Sequence, residues 1–378
     1  VSYDPALRRD TPLARKLIAR IRDRGPISVR DYMQACLYDQ EYGYYRTQPA
    51  IGAAADFITA PEISQIFGEL IGLWSAVVWQ QMGSPERIHL VELGPGRGTL
   101  MRDALRAVRT VPRFAAAVSV LLIEPNETLR ARQVELLRDE TVPIAHLTPP
   151  DDPPAPAIFI ANEIIDCLPI WQMVRATDPA GRPDWRQRVV GLETSGRLTF
   201  QIGPSARLMP GAETMLPAAQ DGDILEDRNC GDVIGGLRRT AQAGPIAALL
   251  IDYGHTAHGV GDTLQAVRKH AFEHPLTSPG EADLTAHVDF AAMAAQLTAL
   301  PLGETGSALA VDGPILQAQF LGRLGIVERA ARLMAANPVQ AGKIEAGAAR
   351  LIAVPGMGDR FKAIGIRSSS VPPLPGFQ

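Results

Sequence analysis

Long apolar runs are missing from this chain of 378 residues: no stretch approaches the ~18 consecutive apolar residues a membrane-spanning helix needs. Cysteine is scarce. Cys36, Cys167 and Cys230 stand far apart and form no Cys-x-x-Cys pair, which excludes a disulfide framework and reads as reduced intracellular thiols. Positive charge is not in surplus either. The 37 Lys and Arg stand against 41 Asp and Glu, a net charge of −4, which excludes a non-specific nucleic-acid binder. His255 and His258 lie three apart without a matching third ligand nearby, so no metal site is expected. Internal repeats and low-complexity blocks are absent as well. What is present is a hydrophobic content of 46%, ample for a sizeable core in two or three domains or one large α/β domain with insertions.

The N-terminal segment carries seven basic residues (Arg8, Arg9, Arg15, Lys16, Arg20, Arg22, Arg24), with Leu13, Leu17 and Ile21 on one helical face. A transit peptide has that character. Asp10 and Asp23 interrupt it and Gly25-Pro26 closes it, so the expectation is a structural helix with a solvated basic face. Ser28 can cap a second helix through Tyr32, Met33, Cys36 and Leu37. Residues 38–62 are irregular and rich in Tyr, Gly and Pro, a length of loop more often functional than filler. A helix is expected from about Ile63 to Met82.

From Ile88 onward, short continuous apolar runs alternate with helical patterns. Ile88–Leu93, Val118–Glu124, Val142–Leu147, Ala157–Ala161 and Ala247–Asp252 read as strands buried on both faces, joined by crossover helices into a parallel sheet. Residues 170–235 break this rhythm with alternating strands and turn signals, as an inserted β-rich unit would. Helices are expected over Val288–Leu300, Ile315–Ala336 and Gln340–Ile352, and a closing strand over Phe361–Ile366. The expected organisation is an N-terminal helical and lid region (1–84), a core (85–169 plus 236–367), the insertion (170–235) and a tail (368–378).

The first run opens into Glu92-Leu93-Gly94-Pro95-Gly96-Arg97-Gly98, and a helix begins at Thr99. Glycines between a strand and a helix let a cofactor approach the backbone. Glu92 lies two places before the first glycine, and Glu124 ends the next strand. An acid there would repel a pyrophosphate but suit a cation, and Glu124 can accept ribose hydroxyls. S-adenosylmethionine is therefore the first choice and a dinucleotide the second; the third-glycine spacing of the nicotinamide fingerprint is not met.

The run at Ala157–Ala161 continues as Asn162-Glu163-Ile164-Ile165-Asp166. Ligands of doubly wound sheets sit at the carboxyl ends of the strands, so Asn162, Glu163 and Asp166 are the candidate catalytic residues. A helical turn would bring Glu163 and Asp166 to one side as a clamp for a guanidinium. Alternatively, Asn162 and Asp166 cap the next helix and Glu163 alone faces the cleft. His255 reads as a cap or loop hydrogen-bonder, and Asp289 and Glu281 as surface or capping groups.

These strings together resemble the MidA-type methyltransferases, bacterial relatives of the mitochondrial complex I assembly-factor protein arginine methyltransferase. The resemblance is carried by Gly25–Val29, Glu41–Tyr45, Asp56–Glu62, Glu92–Gly98, Ala161–Pro169, Ile251–His255, Gly261–Thr263, Pro279–Phe290 and Pro375–Phe377. It implies a class I methyltransferase fold, a Rossmann-like doubly wound α/β sheet of strand order 3-2-1-4-5-7-6, with S-adenosyl-L-methionine as methyl donor. It places Glu92, Gly94, Gly96, Gly98 and Glu124 at the cofactor, under a lid containing Asp56, Thr59, Pro61 and Glu62. The function it implies is methylation of an arginine in a protein substrate, a core subunit of complex I. The alternatives are an assembly chaperone that binds the cofactor without using it and a small-molecule methyltransferase. The compartment expected is the cytoplasm, with the mitochondrial matrix as alternative. The oligomeric state is left open.

Overall fold

In this computed structural model, residues 7–47, 59–147, 152–177, 180–206, 219–228, 230–299 and 308–378 are described. The chain divides into two compact units. The first comprises Val1–Phe57, Asp166–Asn229 and Ala257–Val288, and the second Ile58–Ile165, Cys230–Thr256 and Asp289–Gln378.

The second unit is built on β1 (Ile88–Leu93), β2 (Val118–Ile123), β3 (Ile144–Leu147), β4 (Ala157–Asn162), β5 (Ile246–His255), β6 (Leu309–Leu316) and β7 (Phe361–Ser368). They lie side by side in the order β6-β7-β5-β4-β1-β2-β3. All pairings are parallel from β3 to β5, whereas β7 runs antiparallel to both its neighbours. This is the 3-2-1-4-5-7-6 order of a class I methyltransferase. The continuous apolar runs have the burial they call for: Ala157–Ala161 and Ile246–Asp252 are buried at every position. Each such Ile, Leu or Phe side chain contributes about 1.5–3 kcal/mol by leaving water.

Three helical expectations are revised. The helix expected from Ile63 is split at Ser64, which ends the turn Ala60–Ile63 and caps Gln65–Gln81 by accepting the Ile66 N–H at 3.3 Å. That second helix packs tightly against Thr99–Val108. A Cβ on Gly72 would stand 2.4 Å from the Ala104 carbonyl oxygen, so only glycine allows the approach. The helix expected over Ile315–Ala336 gives its first two residues to β6. It then runs as Gln317–Arg323 and Ile326–Ala336, parted at Gly325, whose φ is +84°. Nor does a helix follow β4, where a helical turn was expected.

The first unit opens with Pro12–Arg24, capped by Thr11, whose Oγ1 accepts the Ala14 N–H at 3.0 Å. Leu13, Leu17 and Ile21 are buried while Arg15, Lys16, Arg20, Arg22 and Arg24 are exposed. Val29–Tyr38 follows, capped by Ser28. The β-rich insertion forms an antiparallel sheet in which Ile27–Ser28, Pro183–Leu192, Ile170–Thr177 and Ile224–Arg228 lie in that order, with Leu198–Ser205 also on Pro183–Leu192. A smaller sheet joins Gln265–Arg268 to Ala271–Glu273 and Asp283–Thr285. All three cysteines are buried thiols outside any disulfide, and burial pushes the Cys36 thiol up to about 12, which leaves it inert.

Candidate active site

The glycine turn follows β1 as the sequence spacing requires. Gly94, Gly96 and Gly98 have φ of +61°, +54° and +84°. The turn closes through the Gly98 N–H donating to the Pro95 carbonyl at 2.8 Å, and Gly98 then starts the helix Thr99–Val108. The glycines are thus required by backbone handedness before any ligand is considered, which amends the reason inferred from sequence. At Gly94 there is a second reason: a Cβ would lie 2.3 Å from Cδ1 of Ile164. Gly94→Ala is accordingly expected to lower stability by about 1–2 kcal/mol, measured as the unfolding midpoint in denaturant. An unchanged midpoint would show that the turn relaxes freely.

Glu92 on β1 and Glu124 just after β2 are both buried. Oε2 of Glu92 has no hydrogen-bond partner among the described residues. Burial pushes the Glu92 carboxyl up to about 8, with the nearby Glu124 charge adding to the shift. Burial likewise raises Glu124 to about 7, against the opposing pull of the Asn126 N–H, which donates to Oε1 at 2.9 Å, and of the Arg130 charge. Arg130 itself donates to the Glu124 backbone carbonyl. Two carboxylates buried side by side call for a cationic ligand with N–H donors and repel a phosphate.

A third group here went unnoticed in the sequence. Gln133 is fully buried, and its Nε2 donates to the Gly96 carbonyl at 2.6 Å. The same amide supports the Glu124 carboxylate, and its Oε1 faces His146 Nε2 at 2.8 Å. The signal was available: Gln133 stands four residues from both Leu129 and Leu137, the buried face of Glu127–Leu137. Val134, on the same helix, is 60% exposed.

At the end of β4, Asn162 directs Nδ2 to Glu163 Oε1 at 3.1 Å, while its own Oδ1 is buried without a partner among the described residues. Glu163 has φ +54°, left-handed backbone that a side chain adopts only under constraint. The constraint comes from β5. The Glu163 N–H donates to the Ile251 carbonyl at 2.9 Å, and the Ile165 N–H to the fully buried Asp252 carboxylate at 2.8 Å. That bonding replaces the expected helical turn.

The Glu163 carboxylate also accepts the Ala60 N–H at 2.7 Å and so fixes the segment that begins at Thr59 and Pro61. Glu62, on the same turn, accepts the Thr99 hydroxyl at 2.6 Å and faces Arg97 at 3.5 Å. The structure therefore brings Thr59, Pro61 and Glu62 to the ends of β1 and β4; Asp56 lies outside the described residues. Asp166 belongs to the first unit, where its side chain is buried and its carbonyl accepts from Arg228 and the Ala286 N–H. His255 lies 4.0 Å from Asp289, which caps the following helix through the Ala292 N–H. Among the described residues no group of three or more His, Cys, Asp and Glu is placed to hold a metal ion.

Comparison with known proteins agrees with this geometry. Residues 70–303 match the sequence model of the family described as "Putative S-adenosyl-L-methionine-dependent methyltransferase". The mitochondrial protein arginine methyltransferase NDUFAF7 of Xenopus tropicalis is 33% identical over 97% of this chain and 89% of its own length. The Homo sapiens protein of the same name is 34% identical over 85% and 75% respectively. Among solved structures, a COG1565 superfamily member from Burkholderia thailandensis bound to S-adenosyl-homocysteine superimposes with a TM-score of 0.82. It has 25% identity and covers 100% of this chain and 96% of that one. A strand–glycine turn–helix with a buried acidic pair, on a sheet of this order, thus has a known setting: the chain belongs to the family of S-adenosyl-L-methionine-dependent methyltransferases.

Proposed function

We propose that this methyltransferase methylates an arginine side chain of a protein substrate, and that the substrate is a subunit connected with complex I assembly. The relatives' names support arginine. The observation that carries the reading is Glu163, a carboxylate held in strained backbone at the end of β4.

The buried acceptor atoms fit the donor's chemistry. Glu92 Oε2 and Asn162 Oδ1 lack partners and suit N–H donors, while Glu124 suits ribose hydroxyls. In this reading Glu92 receives the ammonium of S-adenosyl-L-methionine and Glu124 its ribose. Gly94, Gly96 and Gly98 floor the site, and Thr59, Pro61 and Glu62 cover it. When bound, S-adenosyl-L-methionine supplies a methyl group activated by its sulfonium. Glu163, steadied by Asn162, would orient the acceptor nitrogen and take the proton it loses as the N–C bond forms and the methyl–sulfur bond breaks, with S-adenosyl-homocysteine as the leaving group. Asp166 is assigned to recognition of the protein substrate within the first unit.

Among the described residues no helix is long and apolar enough to cross a membrane. The relatives are named mitochondrial. The compartment we propose is the one facing complex I assembly: cytoplasm in a bacterial cell, matrix in a mitochondrion. Incubation with methyl-labelled cofactor and a cell extract, followed by identification of the labelled residue, tests the acceptor. Methylarginine in a protein is the expected product. Label confined to small molecules, or no transfer at all, would overturn the reading.

A further inference from the structure

We propose that the first unit carries a recognition site for a guanidinium group, formed by Asp283, Asp166, Tyr45, Tyr38 and Thr285. The inference rests on the arginine reading above and specifies how the first unit recognises an arginine of the protein substrate. Asp283 and Thr285 stand two apart on the strand Asp283–Thr285 and so share one of its faces. Both are buried. Thr285 Oγ1 has no hydrogen-bond partner among the described residues. A sealed hydroxyl left unpaired costs about 1–3 kcal/mol, so a ligand N–H bonding there would recover that loss.

Two phenols complete the face. Tyr45 donates its hydroxyl to Asp283 Oδ1 at 3.0 Å, and Tyr38 donates to the Cys167 carbonyl at 3.2 Å. Their rings lie 5.6 Å apart, tilted by 41°, and both residues are only partly buried, so the cluster is reached from their side. Burial holds both phenols neutral, and the charges of Asp283 and Asp166 reinforce this at each ring, which places both carboxylates within electrostatic reach of both rings.

The buried cation beside them is Arg228. Its guanidinium donates to the backbone carbonyls of Leu168, His287, Asp166 and Ala286, fastening residues 166–168 to 286–287. It therefore frames the site. A planar cation with several N–H donors matches two carboxylates, aromatic faces and a waiting hydroxyl; a lysine ammonium lacks the planar fork.

The test is calorimetric titration of the full chain, saturated with S-adenosyl-homocysteine. The probes are Nα-acetyl-L-arginine amide, its neutral citrulline counterpart and the lysine counterpart. The arginine probe is expected to bind at least about tenfold more tightly than either. Asp283→Asn should weaken it about tenfold or more, and Tyr45→Phe and Thr285→Val about threefold or more, with S-adenosyl-homocysteine affinity unchanged in each. If Asp283→Asn fails to fold, the near-isosteric Thr285→Val carries the same test. Equal affinity for the arginine and citrulline probes, or unaltered binding by Tyr45→Phe and Thr285→Val, would overturn the site. Arginine-selective binding with no arginine methylation would sink the proposed function and leave the site standing. Arginine methylation with KM unmoved in Asp283→Asn and Thr285→Val would do the reverse.

Discussion

Glu163→Gln is expected to slow methyl transfer by about 10²–10⁴-fold, the range typical of a general base, while cofactor affinity stays within about threefold of the parent. The substitution is chosen because it keeps an amide oxygen where the carboxylate accepts the Ala60 N–H at 2.7 Å and the Asn162 amide at 3.1 Å. The turn Ala60–Ile63 and its Glu62–Thr99 bond should therefore persist. What is lost is the negative charge and the ability to take a proton. Single-turnover kinetics with labelled cofactor would read the chemical step apart from binding. Transfer at the parental rate would remove Glu163 from the chemistry.

Glu92→Gln should weaken S-adenosyl-L-methionine binding at pH 8 by about 10–100-fold, the loss of one charge-assisted hydrogen bond. Its pH dependence is the sharper signature. The ordinary glutamate value is near 4.5, and in the ligand-free fold Glu92 and Glu124 stand near 8 and 7. The folded protein therefore holds protons that the unfolded chain has released. The stability linked to these groups is full below about pH 4.5 and is lost as the pH rises through 7 to 8. A cationic ligand reverses the preference, so its affinity should rise with pH across that window by about tenfold per unit for each proton released. Glu92→Gln removes one of the two sites: the deficit in affinity should narrow below pH 6, and the ligand-free variant should melt higher than the parent at pH 8. Calorimetry in buffers of different ionisation enthalpy counts the protons. Equal affinity at pH 8 would show that Glu92 does not meet the cation.

The parallel sheet was legible because strands buried on both faces must be apolar throughout, and Val120–Ile123, Ala157–Ala161 and Ile246–Ile251 contain no interruption. β6 was hidden by its own sequence. Asp312-Gly313-Pro314 reads as a turn, yet the strand absorbs it as an irregularity between Asp312 and Ile315 opposite β7. The candidate acids showed in the sequence because Glu92 lies near the end of β1 while Glu124 and Glu163 follow β2 and β4. Gln133 did not, because a polar residue within a helix face announces itself only when the group it serves is known. The turn after β4 was misread for a related reason. Glu163 and Asp166 have helical spacing, but the Asp252 carboxylate 87 residues further on takes the Ile165 N–H, and no local pattern encodes that.

The φ of +54° at Glu163 sets two kinds of fitness against each other. A left-handed residue with a side chain is less stable than glycine there by about 1–2 kcal/mol. Selection for heat resistance weighs that relief against the hydrogen bonds the carboxylate accepts from Ala60 and Asn162. On the proposed role in proton transfer, selection on turnover holds glutamate in place whichever way that balance falls, so thermal and catalytic selection act on this position through separate terms.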